Sequence, residues 1–253
     1  IFAQACTGSE VWRRTMHDLG VQAVLLGADG ILYDQLGVWL PELCFSGNHD
    51  HKPGEADTKY RLQMINEIST NMKKINPDFA IMTEATNDVV IRGIDYTHGW
   101  GIGTAPSANV FSELFRYTFP ELITTQRNPN PMITRTDANY AAIYGLRHEI
   151  ESRYPDDVEY LLHGTLPTRE SYAIENSPPN VSKMNQLPKK EAAKYVHTLI
   201  SFENDNGDFF RTGKFIDEEG IEITGDDIMA KGFLNGNRLG VVVWNKHLTE
   251  QRD

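Results

Sequence analysis

The sequence of 253 residues contains few cysteines and few basic side chains, and both shortages limit what the protein can be. Two cysteines, Cys6 and Cys44, are too few for a disulfide framework or a cysteine-based zinc site. The 24 basic side chains against 35 acidic ones give a net charge of −11. This balance argues against nucleic acid or an anionic membrane surface as the main partner, because either would require a basic face.

Several sequence features of common protein classes are also missing. No apolar run approaches the ~18 residues that cross a bilayer, so no membrane span is predicted. No Gly-x-Ser-x-Gly segment occurs, so serine-hydrolase chemistry has no support. The glycines of residues 99–103 lack the strand-to-helix context of a phosphate-binding turn. The chain begins at Ile1 without a signal-peptide pattern, and we expect it to start inside a longer protein.

Two short apolar segments each end in a carboxylate. Ile31 and Leu32 lead to Asp34 and Gln35, and the apolar segment 79–82 leads to Glu84. Between these segments, apolar residues recur every four positions, at Tyr60, Met64, Ile68 and Met72. This spacing predicts a helix, which we expect to end before Pro77. Strand, loop, helix and strand in this order predict a βαβ unit of a parallel sheet in an α/β protein.

The carboxyl ends of neighbouring parallel strands meet at one edge of a sheet, about 4.8 Å apart. Asp34 and Glu84 are therefore expected to face one another there. A pair of carboxyl groups is what glycosidic bond hydrolysis requires: one protonates the leaving oxygen, and the other attacks the anomeric carbon or activates water. Strand ends also carry acidic residues for solubility or for capping the next helix, so spacing alone leaves both interpretations open.

Further polar and aromatic residues are predicted to lie near this edge. Residues 113–117 are predicted to form another strand with Arg116 near its end, where Arg116 or Tyr33 could donate to Asp34. Trp100 could stack on a sugar ring, and Asp95 could bond sugar hydroxyls. Each also has an ordinary explanation, packing for the aromatic residues and turn capping for Asp95.

His49 and His51 follow in the loop after Asp34 and form a His-x-His pair. This spacing suits a metal ion, but no apolar strand immediately precedes it. Three interpretations remain open for the pair: metal binding, substrate contact at the site mouth, and an uninvolved surface loop. Cys44 lies in the same loop and is interpreted as a structural thiol.

The remainder of the chain changes from helical to antiparallel β character. A helix over 136–150 is predicted, with a strand as the alternative, then loops over 155–188 and a helix over 189–202. Short strands are predicted over 214–216, 220–223, 228–234 and 239–244, the last two joined by a turn at Asn235-Gly236-Asn237. Either this β material packs on the α/β part or it begins a larger β domain.

The runs at 27–37, 77–84, 115–120 and 243–245 together resemble a bacterial family of glycoside hydrolases that carries a domain of unknown function. The resemblance implies a (β/α)8 barrel, here residues 1–210, followed by a β-sandwich beginning in residues 211–253. Its site layout is similar to that of α-amylase-like and endo-α-N-acetylgalactosaminidase-like enzymes. It makes Asp34 the nucleophile and Glu84 the acid/base, and it implies a periplasmic or extracellular location. The first three strand-helix units of such a barrel are missing from the chain.

The sequence therefore predicts a retaining glycoside hydrolase acting on an oligo- or polysaccharide, without cofactor or metal. The predicted site comprises the catalytic pair with Tyr33, Gln35, His49, His51, Asp95, Trp100 and Arg116 as substrate-binding residues. Two alternatives remain: a non-catalytic carbohydrate-binding or scaffold fragment, and a metal-dependent barrel hydrolase that uses the two histidines.

Overall fold

The computed structural model describes residues 5–37, 43–56, 58–84, 88–98, 112–128, 135–150, 155, 163 and 192–246. The chain divides into two compact units, Ile1–Trp100 and Gly101–Asp253. The predictions for Trp100, for the glycines of 99–103 and for most of the 155–188 loops lie outside the described residues. No helix among the described residues is long and apolar enough to cross a membrane.

Unit 1 opens with helix α1, Glu10–Leu25. Ser9 occupies the N-cap position that the sequence predicts, although its side chain makes no capping bond. Gly27, at φ +84°, then turns the chain, because this left-handed conformation suits a residue without a Cβ. Strand β1, Gly30–Tyr33, follows. The loop after it contains a short antiparallel pair, β2 (Leu43–Cys44) and β3 (Glu55–Ala56).

The predicted βαβ unit is confirmed. Helix α2, Thr58–Ile75, buries its apolar stripe, with Met64, Ile65, Ile68 and Met72 at most 1% exposed. Strand β4, Ala80–Glu84, runs parallel to β1, and Gly30 pairs with Ala80. A short 3-10 helix (Val90–Gly93) leads to β5, Tyr96–His98, which is parallel to β4.

Unit 2 begins differently from the prediction. Residues Ser112–Thr118 form helix α3, so the strand predicted over 113–117 is wrong. Within this segment Leu114 and Tyr117 are exposed whereas Arg116 is buried, which is not the alternation of a half-buried strand. The aromatic residues that favour a strand here are overridden by tertiary packing.

A second parallel pair follows α3. Strands β6 (Ile123–Asn128) and β7 (Arg147–Ile150) flank helix α4, Arg135–Ile143. The helix predicted over 136–150 is thus correct in its first half only. Gly145, at φ +62°, follows the end of this helix, and the second half of the predicted segment forms β7 instead.

The last described part contains two helices and three strands. Helix α5 is Ala192–Asp205, and the short α6 is Gly207–Phe210. Strands β8 (Lys214–Asp217), β9 (Ile228–Asn235) and β10 (Arg238–Asn245) form an antiparallel sheet. The hairpin turn at Gly236 is confirmed, at φ +61°. The strand predicted over 220–223 is wrong, since this segment runs between Gly220 and Gly225 without strand pairing.

The antiparallel sheet packs on the α/β part of its own unit. An aromatic cluster joins them; its buried members include Tyr140, Tyr144, Phe210, Phe215 and Phe233. The Phe210 and Phe233 rings lie 5.0 Å apart, and those of Phe215 and Phe233 lie 5.5 Å apart. The described β strands therefore pack on the α/β part of unit 2. A mixed α/β fold with parallel strands is confirmed.

Candidate active site

The carboxyl ends of β1, β4 and β5 bring the predicted catalytic pair into one row. Tyr33 is in register with Thr83, and the next residues are Asp34, in the turn after β1, and Glu84, the last residue of β4. Glu84 in turn is in register with His98 at the end of β5. The two carboxylates differ in environment, since the Glu84 residue is 8% exposed and Asp34 is exposed.

Two buried side chains hold this edge of the sheet in place. The Thr83 hydroxyl donates to the Tyr33 carbonyl at 3.2 Å, which joins the last residue of β1 to the next-to-last residue of β4. Arg61 on α2 donates from Nη1 to the Leu36 carbonyl at 2.9 Å. This bond anchors the turn that contains Asp34 and Gln35. Gln35 itself adopts φ +57°, a left-handed conformation that is costly for a residue with a side chain.

The Tyr33 side chain points away from this row and into the packing of unit 1. Its hydroxyl donates to the Met16 carbonyl on α1 at 2.8 Å, and the residue is 3% exposed. Burial raises the pKa of the Tyr33 phenol to about 12, because the charged form would lose its hydration. This position suits a residue that joins β1 to α1.

Asp95 lies just before β5, three residues from its carboxyl end. Its Oδ1 accepts from Lys73 Nζ at 2.5 Å, and its Oδ2 accepts from the Ile81 backbone N–H at 3.0 Å. Both carboxylate oxygens therefore bind α2 and β4. The structure places Asp95 in the body of the sheet, away from the row of strand ends.

Arg116 is 3% exposed and lies on α3 in unit 2. Its Nε donates to the Tyr144 carbonyl at 3.1 Å, and its Nη1 donates to the Leu122 carbonyl at 2.9 Å. Burial, followed by the nearby Arg147 charge, lowers the pKa of Arg116 to about 10. These contacts join three segments of unit 2.

The structure pairs each of the two loop histidines with a cysteine. Cys44 Sγ lies 3.2 Å from His49 Nδ1, and Cys6 Sγ lies 3.1 Å from His51 Nε2. The two imidazole rings are 5.4 Å apart between centroids. Burial is the main factor that raises the pKa of the Cys6 thiol. Both histidines lie in the loop predicted from the sequence, but no sequence pattern connects them to Cys6.

Sequence reasoning also missed Arg61, Thr83 and His98. Thr83 directly precedes Glu84 in β4 and pairs with Tyr33, so the predicted parallel pairing of the two strands could have indicated its position. His98 is the last residue of a strand whose three residues are too few to give a pattern. Arg61 on the amphipathic α2 carries no signal, since a basic residue in a helix ordinarily faces solvent.

The comparisons with known proteins agree with the resemblance drawn from the sequence. Residues 2–125 match a family model described as a domain of unknown function (DUF6259). Over 230 residues the chain is 25% identical to a Bacteroides thetaiotaomicron protein named "Putative glycoside hydrolase". That match covers 88% of this chain and 30% of the relative, so the chain spans under a third of its length.

Solved structures support the fold at much lower identity. A "Family GH13_31 enzyme" is 13% identical with a TM-score of 0.55, over 92% of this chain and 60% of that one. Eubacterium rectale Amy13B is 11% identical with a TM-score of 0.57, over 95% of this chain and 55% of that one. A maltogenic amylase from S. marinus is 13% identical with a TM-score of 0.51, over 92% of this chain and 33% of that one.

These proteins share with the chain an α/β arrangement that contains parallel strands. The family match and the curated relative together confirm the resemblance: the chain is similar to a bacterial family of glycoside hydrolases that carries a domain of unknown function.

Proposed function

We propose that the protein to which this chain belongs is a retaining glycoside hydrolase, with Asp34 as nucleophile and Glu84 as general acid/base. The supporting observation is the parallel register of β1 and β4, which pairs Tyr33 with Thr83, so that Asp34 and Glu84 are each the next residue along neighbouring chain segments. The backbones of neighbouring strands lie about 4.8 Å apart, a spacing that allows side chains at their ends to reach the ~5 Å carboxyl separation of retaining enzymes.

In the first step, the Asp34 carboxylate attacks the anomeric carbon while Glu84 transfers its proton to the glycosidic oxygen. The bond to the leaving group breaks, an alcohol departs, and the sugar is bound to Asp34 as an ester. In the second step, the Glu84 carboxylate accepts a proton from water, the water oxygen attacks the anomeric carbon, and Asp34 is released.

The environments of the two side chains suit this division of roles. A general acid must carry its proton when the sugar binds, and desolvation favours the neutral form of a carboxyl group. Glu84 is the less exposed of the two. Asp34 follows β1 in a turn anchored by Arg61, where it can approach a sugar from the open edge. Gln35 and Trp100 keep their predicted roles as substrate contacts, whereas we assign Tyr33, Asp95 and Arg116 to the framework.

We also propose that the parallel strands in residues 1–210 are the C-terminal part of a (β/α)8 barrel, with a β-sandwich beginning in residues 211–253. The burial of side chains along β1 supports this proposal. Leu32 lies on the opposite face of the strand from the buried Tyr33, and it is 41% exposed. Large branched residues in this orientation fill the interior of such a barrel.

The proposal is tested by Glu84→Gln in the full-length protein. The variant should lose activity on ordinary oligosaccharides by about 10²–10⁴-fold, the usual contribution of general acid catalysis. Aryl glycosides with a good leaving group should retain a fast first step, because their departure needs no proton. The measurement is a burst of phenol release across a panel of aryl α- and β-glycosides.

Glu67→Gln is the matched control, since Glu67 is an exposed residue of α2 whose carboxylate accepts from Gln63. It should leave the rates unchanged. Equal loss on both substrate classes in Glu84→Gln, or full activity in that variant, would contradict the proposed role. Sugar binding without hydrolysis by the full-length protein would contradict the enzymatic function and favour the non-catalytic, carbohydrate-binding alternative.

A further inference from the structure

Four potential metal ligands from distant parts of unit 1 converge on one point. One ligand atom from each of Cys6, Cys44, His49 and His51 lies within 4.8 Å of the other three. All four residues are partly buried. We call these four residues the Cys2His2 cluster. Two thiols and two imidazoles are a donor set that zinc prefers.

The separations within the cluster fit a tetrahedral ion. Zn–S bonds of about 2.3 Å and Zn–N bonds of about 2.0–2.1 Å place neighbouring ligand atoms roughly 3.3–3.8 Å apart. The two measured sulfur–nitrogen separations are 3.1 Å and 3.2 Å, and the upper bound for the set is 4.8 Å. Shifts of about 1 Å or less in side-chain position bring these atoms close to the required spacing.

The His51 ring is oriented as a metal ligand would be. Its side chain is 1% exposed, and Nδ1 lies 2.9 Å from the Lys52 carbonyl. Nδ1 therefore donates its proton to that oxygen, and Glu55 Oε2 lies 3.8 Å from the same nitrogen. This leaves the lone pair of Nε2 directed at the cluster. A carbonyl or carboxylate that fixes the second ring nitrogen is the common support of ligating histidines.

The backbone around the cluster is built to bring the start of the chain onto this loop. A Cβ on Gly8 would lie 2.5 Å from His51 Cδ2, so the turn before α1 packs directly on the imidazole ring. The Glu10 N–H donates to Asp50 Oδ2 at 3.0 Å, which joins the first turn of α1 to the same loop. The Cys44 carbonyl accepts from the Gly54 N–H at 2.7 Å and closes the loop between β2 and β3.

We propose that Cys6, Cys44, His49 and His51 bind one zinc-type divalent ion that joins the start of α1 to the loop between β1 and α2. Four protein ligands complete a tetrahedral shell and leave no position for water, so the ion has a structural role. This proposal stands apart from the carboxylate chemistry. It assigns the two histidines a role other than substrate contact or metal-dependent hydrolysis, and it departs from the expectation of a protein without metal.

The test is metal content and metal uptake by the full chain. Purified under reducing conditions and dialysed against trace zinc, the wild type should hold one zinc ion per chain by elemental analysis. Cys44→Ser and His51→Ala should each lower the zinc content at least tenfold and lower the melting temperature. His197→Ala is the matched control, because His197 is exposed on α5, and it should keep one ion per chain.

A second measurement does not depend on how the variants fold. Reduced wild type stripped by a chelator and titrated with Co²⁺ should bind one equivalent and show visible d–d bands of tetrahedral geometry with a thiolate charge-transfer band. Added Zn²⁺ should displace the Co²⁺ and remove these bands. Absence of the bands, zinc retained by Cys44→Ser and His51→Ala, or a Cys6–Cys44 disulfide that takes up no metal after reduction would each overturn the proposal.

Discussion

Both units contain a buried arginine that donates to backbone carbonyls, Arg61 in unit 1 and Arg116 in unit 2, but they differ in their other polar side chains. In unit 2, Arg116 donates to two backbone carbonyls, and Lys231 donates to Asp217 at 2.6 Å and to Glu218 at 2.8 Å. Arg116 and Lys231 are each 3% exposed. In unit 1, by contrast, Asp34 and Gln35 are exposed in the turn after β1, and the ligand atoms of the Cys2His2 cluster lie within 4.8 Å of one another.

This difference separates side chains that stabilise the fold from side chains that are proposed to bind a ligand or substrate. Side chains whose donors and acceptors are matched to backbone groups or to opposite charges hold the fold together, and their removal should be seen in stability. Carboxylates at an open strand edge, or ligand atoms that converge on one point, contribute little to stability unless a substrate or metal ion binds to them. Arg116, Tyr33 and Gln35, three residues predicted from the sequence to bind substrate, allow this division to be tested.

The largest expected change comes from Arg116→Met. The methionine fills much of the volume but leaves the Tyr144 and Leu122 carbonyls without their donor, and each buried acceptor left unsatisfied costs about 1–3 kcal/mol. We expect the free energy of unfolding to fall by about 2–4 kcal/mol, measured by urea denaturation. The KM for sugar should stay within about twofold.

Arg238→Met provides the control for Arg116→Met. The Arg238 side chain is 62% exposed and pairs with Asp208, and such surface ion pairs contribute about 0–1 kcal/mol. A raised KM in Arg116→Met with unchanged stability would show that Arg116 binds substrate. Buried polar side chains of unit 2 would then not be limited to stabilising the fold.

Tyr33→Phe tests whether a residue beside the proposed nucleophile belongs to the framework. Loss of the bond to the Met16 carbonyl should lower the free energy of unfolding by about 0.5–1.5 kcal/mol at pH 7, with unchanged KM. Tyr117→Phe is the control, because Tyr117 is 43% exposed.

The same variant carries a pH prediction. The folded-state pKa of about 12 exceeds the ordinary value of 10.0, so the stability gained from the neutral phenol is complete below pH 10 and lost as the pH rises towards 12. The wild type should therefore lose its advantage over Tyr33→Phe between pH 10 and pH 12. An advantage that stays constant across this range would show that the phenol is not desolvated.

Sequence reasoning recovered the parts of the structure that have a repeating pattern. The four-residue spacing from Tyr60 to Met72 fixed α2, and the two apolar segments that end in Asp34 and Glu84 fixed the parallel pair β1 and β4. Both depend on local periodicity, which a single sequence displays directly.

What it missed depends on contacts between distant residues. The segment at Arg116 is a helix because Arg116 itself is buried against carbonyls 6 and 28 residues further along the chain. The Cys2His2 cluster combines a loop with a cysteine 38 positions before Cys44, and two cysteines form a zinc site only when two histidines complete the ligand set. No local pattern indicates either pairing.

The smallest expected change, and the one that separates the units most directly, concerns the two non-glycine residues described with positive φ. Gln35 has φ +57° in unit 1, and Asp217 has φ +55° in unit 2. Asp217 bonds the buried Lys231, so Asp217→Gly should destabilise the protein by about 1 kcal/mol despite the easier backbone. Gln35→Gly removes a left-handed strain of about 1 kcal/mol and should stabilise it by about 0.5–1 kcal/mol.

If Gln35 is held in this conformation to contact substrate, the more stable Gln35→Gly should also be the less active, with kcat/KM lowered severalfold and an unchanged zinc content. A gain in stability with loss of activity is the pattern of strain retained for function. Urea denaturation and glycoside kinetics on the same preparations measure both quantities. Full activity in a stabilised Gln35→Gly would instead make Gln35, like Asp217, part of the framework, and would restrict the proposed site to the two carboxylates.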